Sequence, residues 1–420
     1  MKNKINTLIS TICDKAITAS RELALLDTRQ KNKILHAMAD GIEAHAARIL
    51  TANRKDVLEA TSAGLAEPMV KRLELNTSKI KAMAAGLRSV AALKDPVGRE
   101  LRKWKRPNGL VIVKKSVPIG VICVIFESRP NVAADSAGLC FKSGNAVILR
   151  GGKEALRSNA EIIQAMLSYG IRQGLPKYAL QLIRTADRAA ISELVQMQGK
   201  IDLVMPRGGE ALIRAVAENA KVPVIKHYKG VCHIFVDKSA KTDQAIEIII
   251  NAKCQSPAVC NSVEKVLIHR DLAKRFIPAL YSRLDKLGVE LRGDAASRKI
   301  EPGIKKASKE DWDMEYLDLT LTIGVVDSPE QAVAHINLHG SHHSDAIISE
   351  NKASQKLFLA QVDSAVVYVN SSTRFTDGGE FGMGAEIGIS TDKLHARGPM
   401  GLEELTTYKY LVQGKGQVRR

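Results

Sequence analysis

The sequence predicts an α/β protein made of two doubly wound α/β domains and a small β element. From Gly120 to Lys226, runs rich in β-branched residues alternate with helical segments, a pattern typical of a parallel sheet covered by helices. A second series of the same kind begins near residue 229. The length of 420 residues also suggests two or three domains.

The N-terminal part has a different texture. Residues 1 to about 95 are rich in Ala, Leu, Lys and Glu at helical spacing, and we expect three or four helices there. The next segment holds the turn tripeptide PNG (residues 107–109) between two β-branched runs. This pattern predicts a β-hairpin over residues 101–117.

The first predicted sheet has strands at GVICVIF, NAVILR, ALQLI, IDLVM and VPVIK. Two of its loops carry paired glycines beside a basic residue, ILRGGKEA (148–155) and LVMPRGGEAL (203–212). Ligands of such sheets bind beyond the carboxyl ends of the strands, where backbone N–H groups at a helix start can hold a phosphate. The alternative for each loop is a left-handed turn that simply uses glycine. Two such loops at one sheet edge favour phosphate binding.

The second predicted series has strands at GVCHIFVD, VEKVLIH, LTLTIGVVD, DAIISE and SAVVYVN, with helices between them. The segment FTDGGEFGMGAEIGIS (375–390) is too rich in glycine for a regular helix, and both a mobile loop and irregular packing fit it. TTYKYLVQGK predicts a last strand. We expect two α/β domains with a cleft between them.

The composition excludes several classes of protein. The net charge is +17, but Lys and Arg are dispersed and no helix-turn-helix, zinc-finger or RNA-binding signature occurs, so small anionic ligands are favoured over nucleic acid. The N-terminus lacks the apolar core of a signal peptide, and no segment reaches the ~20 apolar residues of a membrane span. The six cysteines have irregular spacing without a C-x-x-C pair, so we expect a reducing cytoplasm.

Cys260, in SPAVCNSVE, follows a predicted helix and a proline-containing loop and precedes a strand. A thiolate there could attack an acyl group and form a thioester, but the local residues alone favour an unreactive buried thiol. Four of the other cysteines are expected to be inert buried thiols, namely Cys13, Cys123, Cys140 and Cys232. Cys254 is expected on the preceding helix, where a resolving role is conceivable.

Two further stretches are candidates for a site. HINLHGSHHSDAIIS could hold a metal or form a polar turn, and without an H-E-x-x-H motif the turn is favoured. Its polar residues are His335, His339, His342, His343 and Asp345. In FESRPNV, Arg129 and Asn131 could reach a ligand, or the segment could be a plain helix start.

Taken together, these motifs resemble the aldehyde dehydrogenase superfamily over nearly the whole chain. VPIGVICVIFESRPNV matches its P-I-G-V-x-x-x-I segment, SGNAVILRGGKEA its G-N-x-V-x-x-K-P-S-E loop, and GLEELTTYKY its G-L-x-x-Y-T-x-x-K ending. Within the superfamily, ESRPNV, VMPRGG, AVCNSVE, GSHHSDAI and FTDGGEFGMGAEIGIS resemble the γ-glutamyl phosphate reductase family. The resemblance implies an aldehyde dehydrogenase-like fold.

The implied activity is that of a glutamate-5-semialdehyde dehydrogenase, in which NADPH reduces L-glutamyl 5-phosphate to L-glutamate 5-semialdehyde and phosphate is released, a step of proline biosynthesis. Cys260 matches the nucleophile that forms the thioester. Hydrolytic relatives carry a general-base Glu in an E-L-G-G context, whereas KHYKGVCHIF has no carboxylate, which suits an enzyme that must keep water from its thioester.

The resemblance also implies cofactor residues. Arg150 falls where the superfamily has Lys and Lys153 where it has Glu, and this change favours the 2′-phosphate of NADPH. Glu315, in DMEYLDL, matches the Glu that holds the nicotinamide ribose. The other residues assigned to the cofactor are Gly151, Gly152, Pro206, Arg207, Gly208 and Gly209.

Asn131 is the candidate oxyanion donor beside the Cys260 N–H, with Arg129 as the alternative because the alignment is offset by two residues. Arg129 otherwise suits a carboxylate or the departing phosphate, and Asn261 and Ser262 are assigned to the substrate. No metal is implied.

The implied domains are a cofactor domain (1–228), a catalytic domain (229–365), a return to the cofactor domain (366–395) and a C-terminal oligomerisation strand (396–420), with the 101–117 hairpin in the oligomerisation element. A homo-oligomer is expected, and any glutamate 5-kinase partner would be a separate chain. The alternatives are an acylating aldehyde dehydrogenase for another acyl phosphate or a CoA thioester, and a basic nucleic-acid-binding protein.

Overall fold

The computed structural model of the protein describes residues 2–419, and the chain forms two compact units. The first unit contains the chain up to Lys226, Gly382–Gly388 and the residues from Met400 onward. The second unit contains His227–Phe381 and Ile389–Pro399. None of the helices within residues 2–419 has the length and apolar character that crossing a bilayer requires.

The first unit begins with a helical segment and continues with strands and helices in alternation. Its helices are α1 (Lys2–Leu23), α2 (Thr28–Ala44), α3 (Ala46–Ser62), α4 (Glu67–Leu73), α5 (Thr77–Ala92), α6 (Asn131–Lys142), α7 (Leu156–Gly170), α8 (Ala189–Leu194) and α9 (Glu210–Asn219). Its strands are β1 (Glu100–Lys105), β2 (Val111–Pro118), β3 (Val121–Phe126), β4 (Ala146–Gly151), β5 (Leu180–Leu182), β6 (Leu203–Arg207) and β16 (Thr406–Gln413).

Four of these strands form the predicted parallel sheet, in the order β5-β4-β3-β6. Strands β3 and β4 are buried along their whole length, as a sheet covered on both faces requires. The stretch VPVIK, expected to be a fifth strand, makes only one bridge, Val224 with Val204. Pro223 has no N–H to donate to a ladder, and this is why pairing does not extend there.

The predicted hairpin is present as the antiparallel pair β1 and β2, and Arg106 N–H donates to Leu110 O at 2.8 Å across its turn. The last strand, β16, adds to the other side of β2. Tyr408 and Tyr410 on β16 are 49% and 54% exposed, and Lys114 lies over the Tyr408 ring at 3.6 Å. This three-stranded sheet therefore has an exposed aromatic and basic surface.

The second unit is built around a seven-stranded parallel sheet in the order β10-β9-β11-β8-β7-β12-β13. The strands of the second unit, including two outside this sheet (β14 and β15), are β7 (Cys232–Val236), β8 (Val263–His269), β9 (Glu290–Gly293), β10 (Lys305–Lys306), β11 (Thr320–Val326), β12 (Ser344–Ile348), β13 (Val366–Val369), β14 (Ile389–Ser390) and β15 (Gly398–Pro399). Its helices are α10 (Thr242–Cys254), α11 (Arg270–Asp285), α12 (Ala295–Ile300), α13 (Pro329–His339) and α14 (Lys352–Gln361). Strands β9 and β10, which are short and polar, are absent from the sequence-based prediction.

The passage of the chain between the units differs from the expected return at residues 366–395. Strand β13 pairs with β12 in parallel, so residues 366–381 stay in the second unit. Between residues 366 and 399, only Gly382–Gly388 belongs to the first unit, and Ile389–Pro399 is again in the second unit. Gly388 has a φ of 145°, and a Cβ there would lie 2.4 Å from the Arg207 guanidinium, so the glycine-rich segment uses this glycine for a close approach.

A buried ion pair joins α10 to β8, the strand that follows Cys260. Lys253 Nζ, on α10, donates to Glu264 Oε2, on β8, at 3.0 Å, and both side chains are fully buried. Burial raises the pKa of Glu264 to about 7, although Lys253 and Lys265 oppose this. Glu264 Oε1 also accepts the Leu317 N–H at 3.4 Å, so the pair ties three segments of the second unit together.

Replacing one partner of this pair leaves the other charge buried without a counter-charge. We expect Glu264→Leu to lower the free energy of unfolding by about 3 kcal/mol or more. The double variant Lys253→Met/Glu264→Leu should recover most of that loss, since apolar groups then replace both charges. Urea unfolding at pH 7.5 measures both, and equal destabilisation in the single and double variants would contradict this account.

Candidate functional site

In the first unit, a candidate site lies at the carboxyl ends of β3 and β4. A pocket of about 420 Å³ there is lined by Phe126, Glu127, Arg150, Lys153 and Arg188, among others. This is the edge at which ligands bind in doubly wound sheets. Arg188 precedes α8, and sequence reasoning missed it because no glycine motif marks that loop.

Arg150 is a buried cation in this pocket. Its guanidinium donates to Gly151 O at 2.9 Å and to Ala186 O at 3.3 Å, and it is only 6% exposed. Its Nε is buried and has no hydrogen-bond partner in the described part of the chain. Burial lowers the pKa of Arg150, although Glu154 opposes this. A buried guanidinium bonded only to carbonyls is a place where an anionic ligand would be stabilised.

The two carboxylates of the pocket are engaged by the protein. Glu154 Oε1 accepts from the Ser128 N–H at 2.7 Å and from Ser128 Oγ at 2.8 Å. Glu127 Oε2 accepts from the Gly209 N–H, at the start of α9, at 3.0 Å. A carboxylate therefore already sits on a helix N-terminus where phosphate was expected, which shows that this N–H binds an anion.

Three of the four paired glycines in the two loops pack closely against neighbouring side chains. A Cβ on Gly151 would lie 2.1 Å from Asn159 Nδ2, one on Gly152 2.0 Å from Glu154 Oε1, and one on Gly208 2.3 Å from Glu127 Oε2. Gly152 and Gly209 have φ values of −58° and −68°, and neither loop contains a glycine with positive φ. The alternative of left-handed turns is therefore wrong. Pro206 and Arg207 end β6 beside them.

Asn131 begins α6, directly after β3 and the loop that holds Ser128, whose φ is 45°. Its Nδ2 donates to Asp135 Oδ2 at 3.0 Å, one turn further along the helix. Burial raises the pKa of Asp135 to about 6, although the hydrogen bond from Asn131 and the charge of Arg207 lower it. Asp135 thus fixes the orientation of the Asn131 amide while one of its N–H groups remains for another acceptor.

In the second unit, Cys260 lies half-buried on the turn between α10 and β8. The backbone of Gly230 packs directly on it, because a Cβ on Gly230 would lie 2.0 Å from Cys260 O and 2.5 Å from its Cα. The buried Cys232 thiol donates to Cys260 O at 3.2 Å. Two residues at or just before the start of β7, Gly230 and Cys232, therefore hold the backbone of Cys260, the predicted nucleophile.

Glu315 contacts the segment before β7 through Gly230, because its Oε1 accepts the Gly230 N–H at 2.9 Å. Lys265 Nζ donates to Met314 O at 2.7 Å and holds the backbone next to Glu315. Burial lowers the pKa of Lys265 to about 8, although Glu264 opposes this. Gly230 therefore brings together two residues that the sequence predicts for one site, Cys260 and Glu315.

The other cysteines do not share this setting. All six are free thiols. Burial raises the pKa of Cys13 to about 11 and also raises the pKa of Cys123, Cys140, Cys232 and Cys254. The expectation that four of them are buried thiols is confirmed, because Cys13, Cys123, Cys140 and Cys232 are buried.

Asn261 and Ser262 make contacts of a structural kind. Asn261 Nδ2 donates to Arg374 O at 3.3 Å and to Thr376 O at 2.9 Å, and its Oδ1 accepts from the Arg374 guanidinium. Ser262 Oγ donates to Ala252 O at 3.1 Å and is fully buried. Both side chains hold the cysteine turn in place, so these contacts do not support their predicted contact with substrate.

The histidine-rich stretch forms separate local contacts. His339 Nδ1 lies 2.8 Å from Asp313 Oδ1, His343 Nδ1 lies 2.9 Å from Ser344 Oγ, and Asp345 Oδ1 accepts the His233 N–H at 2.7 Å. Among residues 2–419, no three His, Cys, Asp or Glu side chains are arranged to hold a metal ion. The favoured interpretation, a polar turn, fits these contacts.

Comparison with known proteins identifies the family to which the chain belongs. The sequence model of the aldehyde dehydrogenase family matches residues 3–318, more than half of the chain. The chain belongs to the aldehyde dehydrogenase family. The predicted aldehyde dehydrogenase-like fold is confirmed.

Relatives within this family are similar over nearly their whole length. The γ-glutamyl phosphate reductase of Thermoanaerobacter pseudethanolicus is 53% identical over 406 residues, 97% of this chain and 98% of the relative. That of Geotalea daltonii is 51% identical over 412 residues, 98% of this chain and 99% of the relative. The predicted resemblance to γ-glutamyl phosphate reductases is therefore confirmed.

Solved structures of similar proteins support the same family assignment. The crystal structure of γ-glutamyl phosphate reductase from Thermotoga maritima is 44% identical, covers 98% of this chain and 100% of its own, and superposes with a TM-score of 0.96. An acetylating aldehyde dehydrogenase from Geobacillus thermoglucosidasius is 17% identical, with a TM-score of 0.71 over 100% of this chain and 99% of its own. The second likeness shows the fold alone.

The packing of Gly230 on Cys260 gives a direct test. A methyl group at Gly230 has no room, so Gly230→Ala should displace the cysteine turn and change the rate at which iodoacetamide alkylates Cys260 by about tenfold or more. Peptide mapping after timed labelling measures this rate. In the control Gly209→Ala the added Cβ meets no atom within 4 Å, and labelling should match the wild type. Equal rates in all three proteins would contradict the tight packing.

Proposed function

We propose that this protein catalyses the NADPH-dependent reduction of L-glutamyl 5-phosphate to L-glutamate 5-semialdehyde, with release of phosphate, as a step of proline biosynthesis. The observation that carries the proposal is the 53% identity, over 97% of the chain, to a relative named γ-glutamyl phosphate reductase. The position of Cys260, half-buried on a turn and fixed by Gly230, supports a nucleophile there.

Cys260 Sγ forms a bond to the acyl carbon of the substrate, and the bond between that carbon and the phosphate oxygen breaks. The thiol proton leaves with the attack, phosphate departs, and a thioester remains on the enzyme. A thioester accepts a hydride more readily than an ester or amide does. The cofactor, when bound, supplies that hydride, after which cleavage of the C–S bond releases the aldehyde and restores the thiol.

The enzyme must keep water from the thioester while it waits for reduction. Hydrolytic members of the family carry a glutamate base in the E-L-G-G segment, and here the segment is KHYKGVCHIF, without a carboxylate. His227 lies in this segment, and its Nδ1 is 2.9 Å from Ile389 O. The missing carboxylate supports a reductase, since no acidic side chain of this segment can activate water as a base.

An oxyanion forms on the acyl oxygen when Cys260 attacks, and hydrogen-bond donors stabilise it. We assign this role to Asn131, together with the Cys260 N–H, and the bond from Asn131 to Asp135 supports it by fixing the amide. Arg129 remains the alternative donor, or a contact for the departing phosphate. Both assignments rest on the family resemblance.

NADPH fits the pocket of the first unit better than NADH does. The buried Arg150 guanidinium has a free Nε, and Lys153 and Arg188 bring two more cations to the pocket. These three would hold the 2′-phosphate, and the two glycine loops, Gly151–Gly152 and Pro206–Gly209, would hold the rest of the dinucleotide. Glu315 would hold the nicotinamide ribose, which its contact with Gly230 beside Cys260 supports.

We further propose a homo-oligomer in which the exposed three-stranded sheet of β1, β2 and β16 takes part. The acyl phosphate substrate would be supplied by a separate glutamate 5-kinase chain. A reducing cytoplasm is supported by the six free cysteines.

The other functions considered have less support. A different acylating aldehyde dehydrogenase would act on another acyl phosphate or a CoA thioester, but the acetylating enzyme that shares the fold is only 17% identical. The prediction of an enzyme is confirmed by the family, and the +17 charge was the only motive for a nucleic-acid-binding protein.

The reaction can be followed in reverse. NADPH formation from glutamate 5-semialdehyde and NADP should require phosphate and should fall below detection in Cys260→Ala, since no thioester forms without the thiol. Cys254→Ala, six residues earlier on α10, is the matched control and should keep most of the activity. Turnover independent of phosphate would contradict the acyl phosphate, and full activity of Cys260→Ala would contradict the nucleophile.

Cofactor choice can be tested on the two exposed cations of the pocket. The double variant Lys153→Gln/Arg188→Gln should raise the KM for NADPH by about 10- to 100-fold, since each lost charged hydrogen bond weakens phosphate binding. The KM for NADH should change by less than about threefold, since NADH has no 2′-phosphate. Arg184→Gln, an exposed arginine of the same loop, is the control. Equal changes for both cofactors would contradict the assignment.

A further inference from the structure

Arg374 is set apart from the other arginines of the second unit by its partners. Three of those arginines are partly buried, Arg292, Arg374 and Arg397. Arg292 pairs with Asp311 at 2.7 Å, and Arg397 pairs with Asp363 at 2.9 Å. Arg374 has no carboxylate within ion-pair distance among residues 2–419, although Asp377 is only three residues away. Asp377 instead accepts the Gly379 N–H at 2.8 Å.

The guanidinium of Arg374 is held by neutral amides. Its Nε donates to Gln255 Oε1 at 3.0 Å, and Nη1 donates to Asn261 Oδ1. A guanidinium has five N–H donors, so three remain for another acceptor. A partly buried cation without a counter-charge is costly, and the amides orient it without neutralising it. A cation held in this way is oriented to bind an anionic ligand.

The amides that hold Arg374 belong to the turn of the nucleophile. Asn261 follows Cys260 directly, so their Cα atoms are about 3.8 Å apart. Asn261 Nδ2 donates to Arg374 O and Thr376 O, and Thr373 Oγ1 donates to Asn261 O at 2.7 Å. Four hydrogen bonds thus join the short helix Thr373–Phe375 and its flanks to the residue after Cys260. Arg374 is therefore tied to the residue that follows Cys260 in the chain.

From this geometry we infer that Arg374 binds a pair of anionic oxygens of the substrate. The inference rests on the proposed function and deepens it, because L-glutamyl 5-phosphate carries such oxygens at both ends, in its α-carboxylate and in its phosphoryl group. Planar guanidinium donors match both groups in a two-bond contact. Asn261 and Gln255 are positioning residues that aim the guanidinium.

The reverse reaction separates the two ends, because glutamate 5-semialdehyde carries the carboxylate and phosphate is a separate substrate. In Arg374→Gln, the KM for one of these two substrates should rise by about 10- to 100-fold, the range for one lost charged contact. A rise for the semialdehyde assigns Arg374 to the carboxylate, and a rise for phosphate assigns it to the phosphoryl group. Arg374→Lys keeps the charge without the fork and should give an intermediate KM.

A purely structural role would have another signature. It would lower kcat and alter Cys260 alkylation while both KM values stay within about threefold of the wild type, and that result, in a variant with wild-type thermal stability, would overturn the inference. Should Arg374→Gln fail to fold, unchanged KM values in Arg374→Lys would overturn it equally. The control Arg397→Gln removes a cation that already has a carboxylate partner and should leave both KM values unchanged. Absence of turnover in the wild type would overturn the proposed function itself.

Discussion

The site of the second unit depends on the close packing of Gly230 on the backbone of Cys260. No other residue type can occupy position 230, because a Cβ would overlap the Cys260 carbonyl. The same glycine donates its N–H to Glu315, so one backbone unit contacts both Cys260, the proposed nucleophile, and a carboxylate that we propose holds the cofactor. Such packing costs no side-chain freedom and leaves little slack, which suits a reaction that depends on orientation.

Buried charges have two different roles in this protein. Lys253 and Glu264 neutralise each other and join α10, β8 and the segment before β11, so that pair is part of the framework. Arg150 and Arg374 are instead held by neutral carbonyl or amide oxygens, which orient a cation and leave its charge available. We propose that cations of this second kind bind anionic ligands, a cofactor phosphate in one unit and the substrate in the other.

Much of the fold was predictable because strands of a covered parallel sheet are rich in apolar residues, and β3, β4, β7, β8 and β12 are buried along their whole length. The short polar strands β9 and β10 have no such signal. Cys260 was predictable from its motif, whereas Arg188 and Arg374 were not, since many arginines are scattered along the chain. Asn261 is predicted to touch the substrate, and its side chain also holds the cysteine turn through hydrogen bonds to Arg374 and Thr376.

Local patterns in the sequence were enough to predict the fold class and the family correctly, because strand periodicity and motifs are local properties of the chain. The pairing of charges, the close packing of three loop glycines and the position of residues 366–381 in the second unit are visible only in the folded structure. These depend on contacts between residues far apart in the chain, such as Gln255 and Arg374, which are 119 positions apart, and no local pattern records them. The physical reason is that charge neutralisation and steric fit are set by neighbours in space.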